Sequence, residues 1–210
     1  MNNAQLLDAT EHEVAERKKN EAILQKHVAE IEQLQAELRE QALRDPLTGL
    51  HNRRYLSETL QREIEKSKRE KKALSIIVSD IDHFKMINDV YGHQAGDKFL
   101  VEIGTLMKDN ARSSDIICRY GGEEFLMVMP GTSLESAVKR AEEILHKCTN
   151  IIIAHEGQAL KVAMSLGVAT YPDHGQEAEE IIFKADKALY KSKKNGRNQV
   201  SAWVENSVRS

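Results

Sequence analysis

The 210-residue chain reads as an α/β protein, a mixed central sheet flanked by helices, behind one long N-terminal helix. Three observations predict this. Residues 1 to about 44 contain neither Gly nor Pro and are dense in Glu, Lys, Gln and Ala, which favours an uninterrupted helix. Beyond them, short apolar runs of strand length are separated by stretches with helical apolar periodicity. Residues 119–129, RYGGEEFLMVM, alternate on both sides of a Gly-Gly pair and predict an antiparallel hairpin, which excludes a purely parallel sheet.

In the N-terminal helix a heptad frame places Leu7, Val14, Val28 and Ala42 at a and Leu24, Ile31 and Leu38 at d, with Arg17, Glu21 and Gln35 as polar breaks. So narrow a seam suits a parallel two-stranded coiled coil, a homodimer stalk about 60 Å long. A charged helix lying against its own domain is the other reading. Asp45-Pro46 ends the helix, because proline cannot continue the hydrogen-bond ladder. Residues 45–54, DPLTGLHNRR, then turn into a second helix over residues 54 to about 71, with Tyr55, Leu56, Leu60 and Ile64 on its apolar side. Periodicity does not separate Arg53 and Arg54 from ordinary surface charges.

Residues 74–79, LSIIVS, form the strongest apolar strand and run into Asp80-Ile81-Asp82. Short helical pieces over residues 83–93 would set backbone N–H groups beside that strand end, a natural phosphate cradle. The next helix carries Phe99, Leu100, Ile103, Leu106 and Met107 inward, and Asp97 is expected at its N-cap or in its first turn. Capping and ligand binding both account for Asp97. After the hairpin, Thr132 and Glu135 fit a capping box ahead of a helix to about residue 147. Residues 160–169 place Val162, Met164, Leu166 and Val168 inward as one buried strand, and residues 171–175 form a loop. A last helix over about 178–193 stops near Gly196, its C-cap, and residues 200–204 supply an edge strand. Domain limits follow: a stalk over 1–44, a main domain over 45–204 and a tail over 205–210.

A formal charge of −3, from 30 basic and 33 acidic residues mixed along the chain, gives no electrostatic case for a nucleic-acid partner. Cys118 and Cys148 lack ligand spacing and fall in apolar patterns, as buried thiols of a reducing, cytoplasmic compartment do. There is no run of membrane-spanning length and no apolar leader segment; an upstream sensor domain stays open. His83, His93, His155 and His174 show no zinc spacing, and neither a nucleophile elbow, a dinucleotide fingerprint nor a phosphate loop is present.

The chemistry gathers at the hairpin. Gly121 and Gly122 allow positive φ and close approach of a ligand to the main chain. Glu123 and Glu124 follow at once and point to opposite faces. If strand 74–79 is a neighbour, Asp80 and Asp82 converge with them as a divalent-metal site serving phosphates. Solvated turn carboxylates are the plainer reading. Lys85, Lys193 and Arg197 could close such a site around a polyphosphate, although lysines at a helix C-terminus also answer the helix dipole.

GGEEF at 121–125 resembles the signature of the GGDEF diguanylate cyclase family. The resemblance extends through DPLTGLHNRR, DIDHFKMINDVYGHQAGD, RSSDIICRYGGEEF, SLGVAT and ADKALYKSKKNGRNQV, roughly residues 43–204. It implies a ferredoxin-like fold related to nucleotide cyclases and the palm of DNA polymerases, and condensation of two GTP into cyclic di-GMP and two pyrophosphates. By that resemblance Asp80 and Glu123, helped by the Ile81 carbonyl, hold two Mg2+ or Mn2+ ions per GTP site, and Glu124 supports them. Asn88 and Asp97 read guanine. The backbone of His83 and Phe84, with Lys85, cradles the triphosphate, and Lys193 and Arg197 hold its terminal phosphates. Arg112 and Asp115 form an RxxD site through which cyclic di-GMP inhibits. Each domain holds one GTP, so two must face each other, and the stalk would bring them together. A catalytically inactive receptor for GTP or cyclic di-GMP is the alternative.

Overall fold

Strand β2 (Leu74–Ile81) is buried along its whole length and lies at the centre of the sheet, as its mainly apolar run suggests. The computed structural model describes residues 3–205, with side chains from Glu16 onward except that of Ala22. The chain divides after Ala42 into a helical unit and a unit that begins at Leu43.

The first unit is α1 (Asn3–Ala42), 40 residues of helix. Leu24, Val28, Ile31 and Leu38 of the heptad seam are exposed on it, and Ile23 and Leu34 widen the apolar stripe. The expected seam side chains Leu7 and Val14 lie outside the described residues, as do residues 206–210 of the tail.

The second unit carries β1 (His51–Asn52), α2 (Arg53–Glu70), β2, α3 (Phe84–Tyr91), α4 (His93–Asp109), β3 (Ile116–Arg119), β4 (Glu124–Pro130), α5 (Leu134–Cys148), β5 (Ile152–His155), β6 (Gln158–Lys161), β7 (Met164–Tyr171), α6 (Ala178–Lys194) and β8 (Val200–Ala202). Six strands form one sheet in the order β1-β3-β4-β2-β7-β8, antiparallel at its centre and parallel at both short edges. The inner four strands have the ferredoxin-like order.

Strand periodicity sorts the core into two layers. Ile77 and Ile81 of β2, Phe125, Met127 and Met129 of β4, and Leu166 and Val168 of β7 face one way, toward Phe99 and Ile103 of α4 and Ala141 and Ile144 of α5. Leu74, Ile76, Val78, Leu126, Val128 and Ala169 face the other way, toward Leu56, Leu60 and Ile64 of α2 and Ile181, Ala185 and Leu189 of α6. Each Leu, Ile, Val, Met or Phe among them contributes about 1.5–3 kcal/mol of burial. Gly167 lets α6 settle on β7: a Cβ there would stand 2.1 Å from the Leu189 amide nitrogen and 2.2 Å from the Ala185 carbonyl oxygen.

Three expectations are corrected. The expected strand over 160–169 is two: Leu160 belongs to the separate β5–β6 hairpin, and β7 starts at Met164. An extended backbone with apolar residues on both sides of Val162-Ala163 conceals that break from periodicity. The cap of α5 is Ser133, whose hydroxyl accepts the Ser136 N–H, while Thr132 is buried and bonds the Pro130 carbonyl. Helix α4 starts at His93, so Asp97 lies in its second turn and neither caps it nor occupies its first turn. The Cys118 and Cys148 thiols are free and buried, and that burial pushes each up to about 12.

Candidate active site

The ends of β2 and β4 meet with Asp80 opposite Glu124, and the Ile81 N–H donates to the Glu123 carbonyl at 3.3 Å. Adjacent antiparallel strands therefore bring the two acidic clusters together. Asp80 is 7% exposed, and Glu123 and Glu124 are half-buried. Lys193, near the end of α6, places its Nζ 2.8 Å from an Asp80 carboxylate oxygen. Burial raises the Asp80 carboxyl above its ordinary range; Lys193 opposes this, and the charges of Glu123 and Glu124 add to it. A cation at this point would relieve that repulsion. The donors are hard oxygens, as Mg2+ and Mn2+ prefer. Among the described residues no three His, Cys, Asp or Glu side chains gather as a complete cage. Two carboxylates and a carbonyl, completed by substrate phosphates and water, fit a Mg2+ site of the kind that serves nucleotides.

The Gly-Gly turn works differently from the expectation, since neither Gly121 nor Gly122 has positive φ. At Gly121 the missing Cβ is what matters: one there would lie 2.6 Å from a Glu124 carboxylate oxygen. The turn is gripped by Arg119, whose guanidinium donates to the Gly122 carbonyl at 2.7 Å and to both Asp45 carboxylate oxygens at 3.1 Å. Asp45 in turn accepts the Thr48 amide and hydroxyl, closing a loop in which Gly49 takes φ 68°. Burial works to raise the Asp45 carboxyl, but the Thr48 and Arg119 bonds outweigh it and hold the group below its ordinary value. The 45–49 turn and the signature hairpin are thus one hydrogen-bonded assembly. Nearby, Arg53 lies over the Tyr120 ring at 4.8 Å.

Helix α3 begins two residues after Asp82, with His83 in the left-handed region and no side-chain cap on its first amides. Phe84 is buried and Lys85 exposed. Asn88 packs against α4: its Oδ1 is buried without a partner and would be 2.0 Å from a Cβ at Gly96. That orphaned oxygen and the exposed Asp97, the residue after Gly96, are polar groups suited to the edge of a base. Arg197 follows α6 and stands 3.9 Å from Asp82. Glu124, Asp186, Tyr190 and Lys193 line a cavity of about 270 Å3. A larger cavity, about 480 Å3, lies elsewhere, lined by residues of α2 and α6. Arg112 and Asp115 are apart from this group, in a turn ahead of β3 that closes when Asp115 accepts the Arg112 amide at 2.8 Å. They border a separate groove of about 230 Å3 with Lys108 and Ile117.

With this geometry in hand, the family model described as diguanylate cyclase, GGDEF domain, matches residues 42–199. The chain belongs to the GGDEF diguanylate cyclase family. The response regulator PleD of Caulobacter vibrioides is 40% identical over 163 residues, 77% of this chain and 36% of PleD. Diguanylate cyclase DgcP of Pseudomonas aeruginosa is 42% identical over 163 residues, 77% of this chain and 24% of its own. The chain therefore spans well under half of these relatives. Among solved structures, the coiled coil and GGDEF domain of DgcB from Caulobacter crescentus, in complex with c-di-GMP, has a TM-score of 0.77 at 31% identity, covering 87% of this chain and 98% of that one. Diguanylate cyclase SiaD of Pseudomonas aeruginosa, in complex with its activator SiaC, has a TM-score of 0.75 at 34% identity, covering 95% and 76%.

The GGDEF fold thus unites Asp80, Glu123, Glu124 and Lys193, sets Arg197 at the same strand end, and puts Asn88 and Asp97 on the facing turns of α3 and α4. Sequence reasoning did not find the Asp45–Arg119 clamp or the bonds that Asp82 makes. Asp45 reads only as a helix breaker; the one signal for Arg119 is its place two residues before the glycines.

Proposed function

We propose that this chain is a diguanylate cyclase, joining two GTP into cyclic di-GMP with release of two pyrophosphates. The observation that carries the reading is the convergence of Asp80, Glu123 and Glu124 at one strand end with Lys193 already at Asp80. Asp80, Glu123 and the Ile81 carbonyl would hold two Mg2+ or Mn2+ ions, which when bound make a ribose 3′-hydroxyl more acidic and offset triphosphate charge. Asp97 accepts from guanine N1–H and the exocyclic amine, and Asn88 completes the pair; adenine offers no matching donors, so it leaves these groups unpaired and is disfavoured. The amides at the entry to α3, at His83 and Phe84, and Lys85 face the triphosphate, and Lys193 and Arg197 exchange their aspartate partners for its terminal oxygens.

The 3′-hydroxyl of each GTP loses its proton and attacks the α-phosphorus of the other; two new P–O bonds form, the two bonds from α-phosphorus to the bridging oxygen of the β-phosphate break, and two pyrophosphates leave. A domain that holds one GTP must meet a second domain antiparallel, so that positioning is the main catalytic resource. The exposed stripe of Leu24, Val28, Ile31 and Leu38 supports pairing through α1 as a parallel coiled coil, which raises the local concentration of the two domains. Arg112, exposed on its closed turn, and Asp115 would take phosphate and guanine edges of cyclic di-GMP as an inhibitory site.

The test is a mixing experiment. Wild-type protein is exchanged with excess Glu123→Ala protein, and cyclic di-GMP is followed chromatographically. Mixed pairs should depress the activity of each wild-type chain well below that of undiluted protein. Activity that scales simply with the wild-type chains present would overturn the two-domain reaction. Product from neither protein, with GTP still bound, would make the chain a receptor.

A further inference from the structure

The reaction outlined above leaves one buried acid without a task. Asp82 is 5% exposed, two residues beyond Asp80 at the end of β2. A carboxylate is costly to bury unless donors surround it. Its two oxygens accept the Ser165 hydroxyl at 2.8 and 3.1 Å, and Oδ2 also accepts the Asn198 N–H at 3.0 Å. Arg197 Nε lies 3.9 Å from Oδ1.

These partners sit on an unusual piece of backbone. Gly196, Arg197 and Asn198 have φ of 114°, 64° and 46°, three consecutive residues in a region that side chains other than hydrogen avoid. Such a turn persists only where its surroundings fix it. On one side the Arg197 N–H donates to the Ser192 carbonyl of α6, and on the other the Gln199 carbonyl accepts from Leu166 of β7. Between them, Asp82 ties the Asn198 amide to the end of β2. The Arg197 backbone is thus held while its side chain remains 44% exposed, with Nε 3.9 Å from Asp82 Oδ1.

We infer that Asp82 is a positioning residue: it pins the left-handed 196–198 turn to the metal-bearing strand end and so aims Arg197 at the terminal phosphates of the nucleotide. This rests on the reading of Arg197 as a phosphate-holding side chain. Ser165 shares the task from β7 by orienting the carboxylate. A purely structural buried acid would change stability alone, whereas this one sets how strongly the site favours a triphosphate over a monophosphate.

The experiment measures dissociation constants of GTP and GMP by calorimetry for the full chain, Asp82→Ala, Arg197→Ala and the double variant, with folding checked by circular dichroism. The wild type should prefer GTP. Asp82→Ala should shrink that preference at least about tenfold with GMP affinity kept, and adding it to Arg197→Ala should change nothing further. An unchanged GTP-to-GMP ratio in folded Asp82→Ala, or losses that add in the double variant, would overturn the inference. If Asp82→Ala does not fold, Asp82→Asn and Ser165→Ala carry the same expectation, and an unchanged ratio in both would overturn it. A wild type that binds no GTP would instead defeat the cyclase reading on which the inference stands.

Discussion

Gly96→Ala should weaken GTP binding while leaving the fold as stable as before, or slightly more so. Gly96 lies inside α4 without positive φ, and alanine there gains about 0.8–1 kcal/mol of helix propensity. The new Cβ would stand 2.0 Å from Asn88 Oδ1 and 3.1 Å from Phe84 Cζ. An ordinary C···O contact is about 3.3 Å, so the Asn88 carboxamide must retreat by roughly 1.3 Å. The end of a flexible side chain can do so at little cost to folding, but a hydrogen bond to the base cannot survive the move. Losing it and leaving a polar atom unpaired costs about 1–3 kcal/mol, on the order of 5- to 150-fold in affinity. Calorimetric titration with GTP, paired with a thermal melt, reads both effects. Wild-type GTP affinity in Gly96→Ala would refute the assignment of Asn88 to the base.

Other perturbations test different parts of the molecule. Gly167→Ala drives a Cβ into the α6 backbone and should cost about 3 kcal/mol or more, lowering the thermal midpoint by about 6–12 °C; an unchanged melt would show that α6 can shift freely. Asp80→Asn should abolish turnover yet raise the melting temperature near neutral pH. The raised folded value of Asp80, due first to burial, means that stability falls as pH rises through it, and the amide removes that penalty. A lower midpoint would contradict this. His174 is held below its ordinary 6.5, first by burial, and its Nδ1 accepts the Thr170 amide. The unfolded chain then takes up a proton that the folded chain resists, so stability should fall as pH drops below about 6.5. In denaturant titrations His174→Asn should flatten that slope, and an equal slope would place the effect elsewhere.

The architecture was legible where one residue set one element. The apolar run of β2, the alternation around the glycines and the inward faces of α2 and α4 came from periodicity alone. Legibility failed where tertiary contacts decide. The β5–β6 hairpin looks like the start of β7, because apolar residues continue across the break at Val162-Ala163. Asp97 resembles a cap because the helix start at Gly92-His93 carries no capping side chain. In the site, Asp80, Glu123 and Lys193 were recognisable as chemistry-bearing types, and only the pairing of β2 with β4 and the packing of α6 bring them together. Asp82 and Asp45 read as one more acidic residue and a helix end. Their partners, Ser165 and Asn198 in one case and Arg119 in the other, are 74 or more residues distant in sequence, beyond any local pattern.

The central claim is that this strand end condenses two GTP. Purified protein is incubated with GTP and Mg2+ beside Glu123→Ala, with nucleotides separated chromatographically and pyrophosphate measured. The account predicts cyclic di-GMP with two pyrophosphates for each product molecule from the wild type, and neither from the variant. GTP that is bound but left intact by the wild type, or equal product from both proteins, would contradict it.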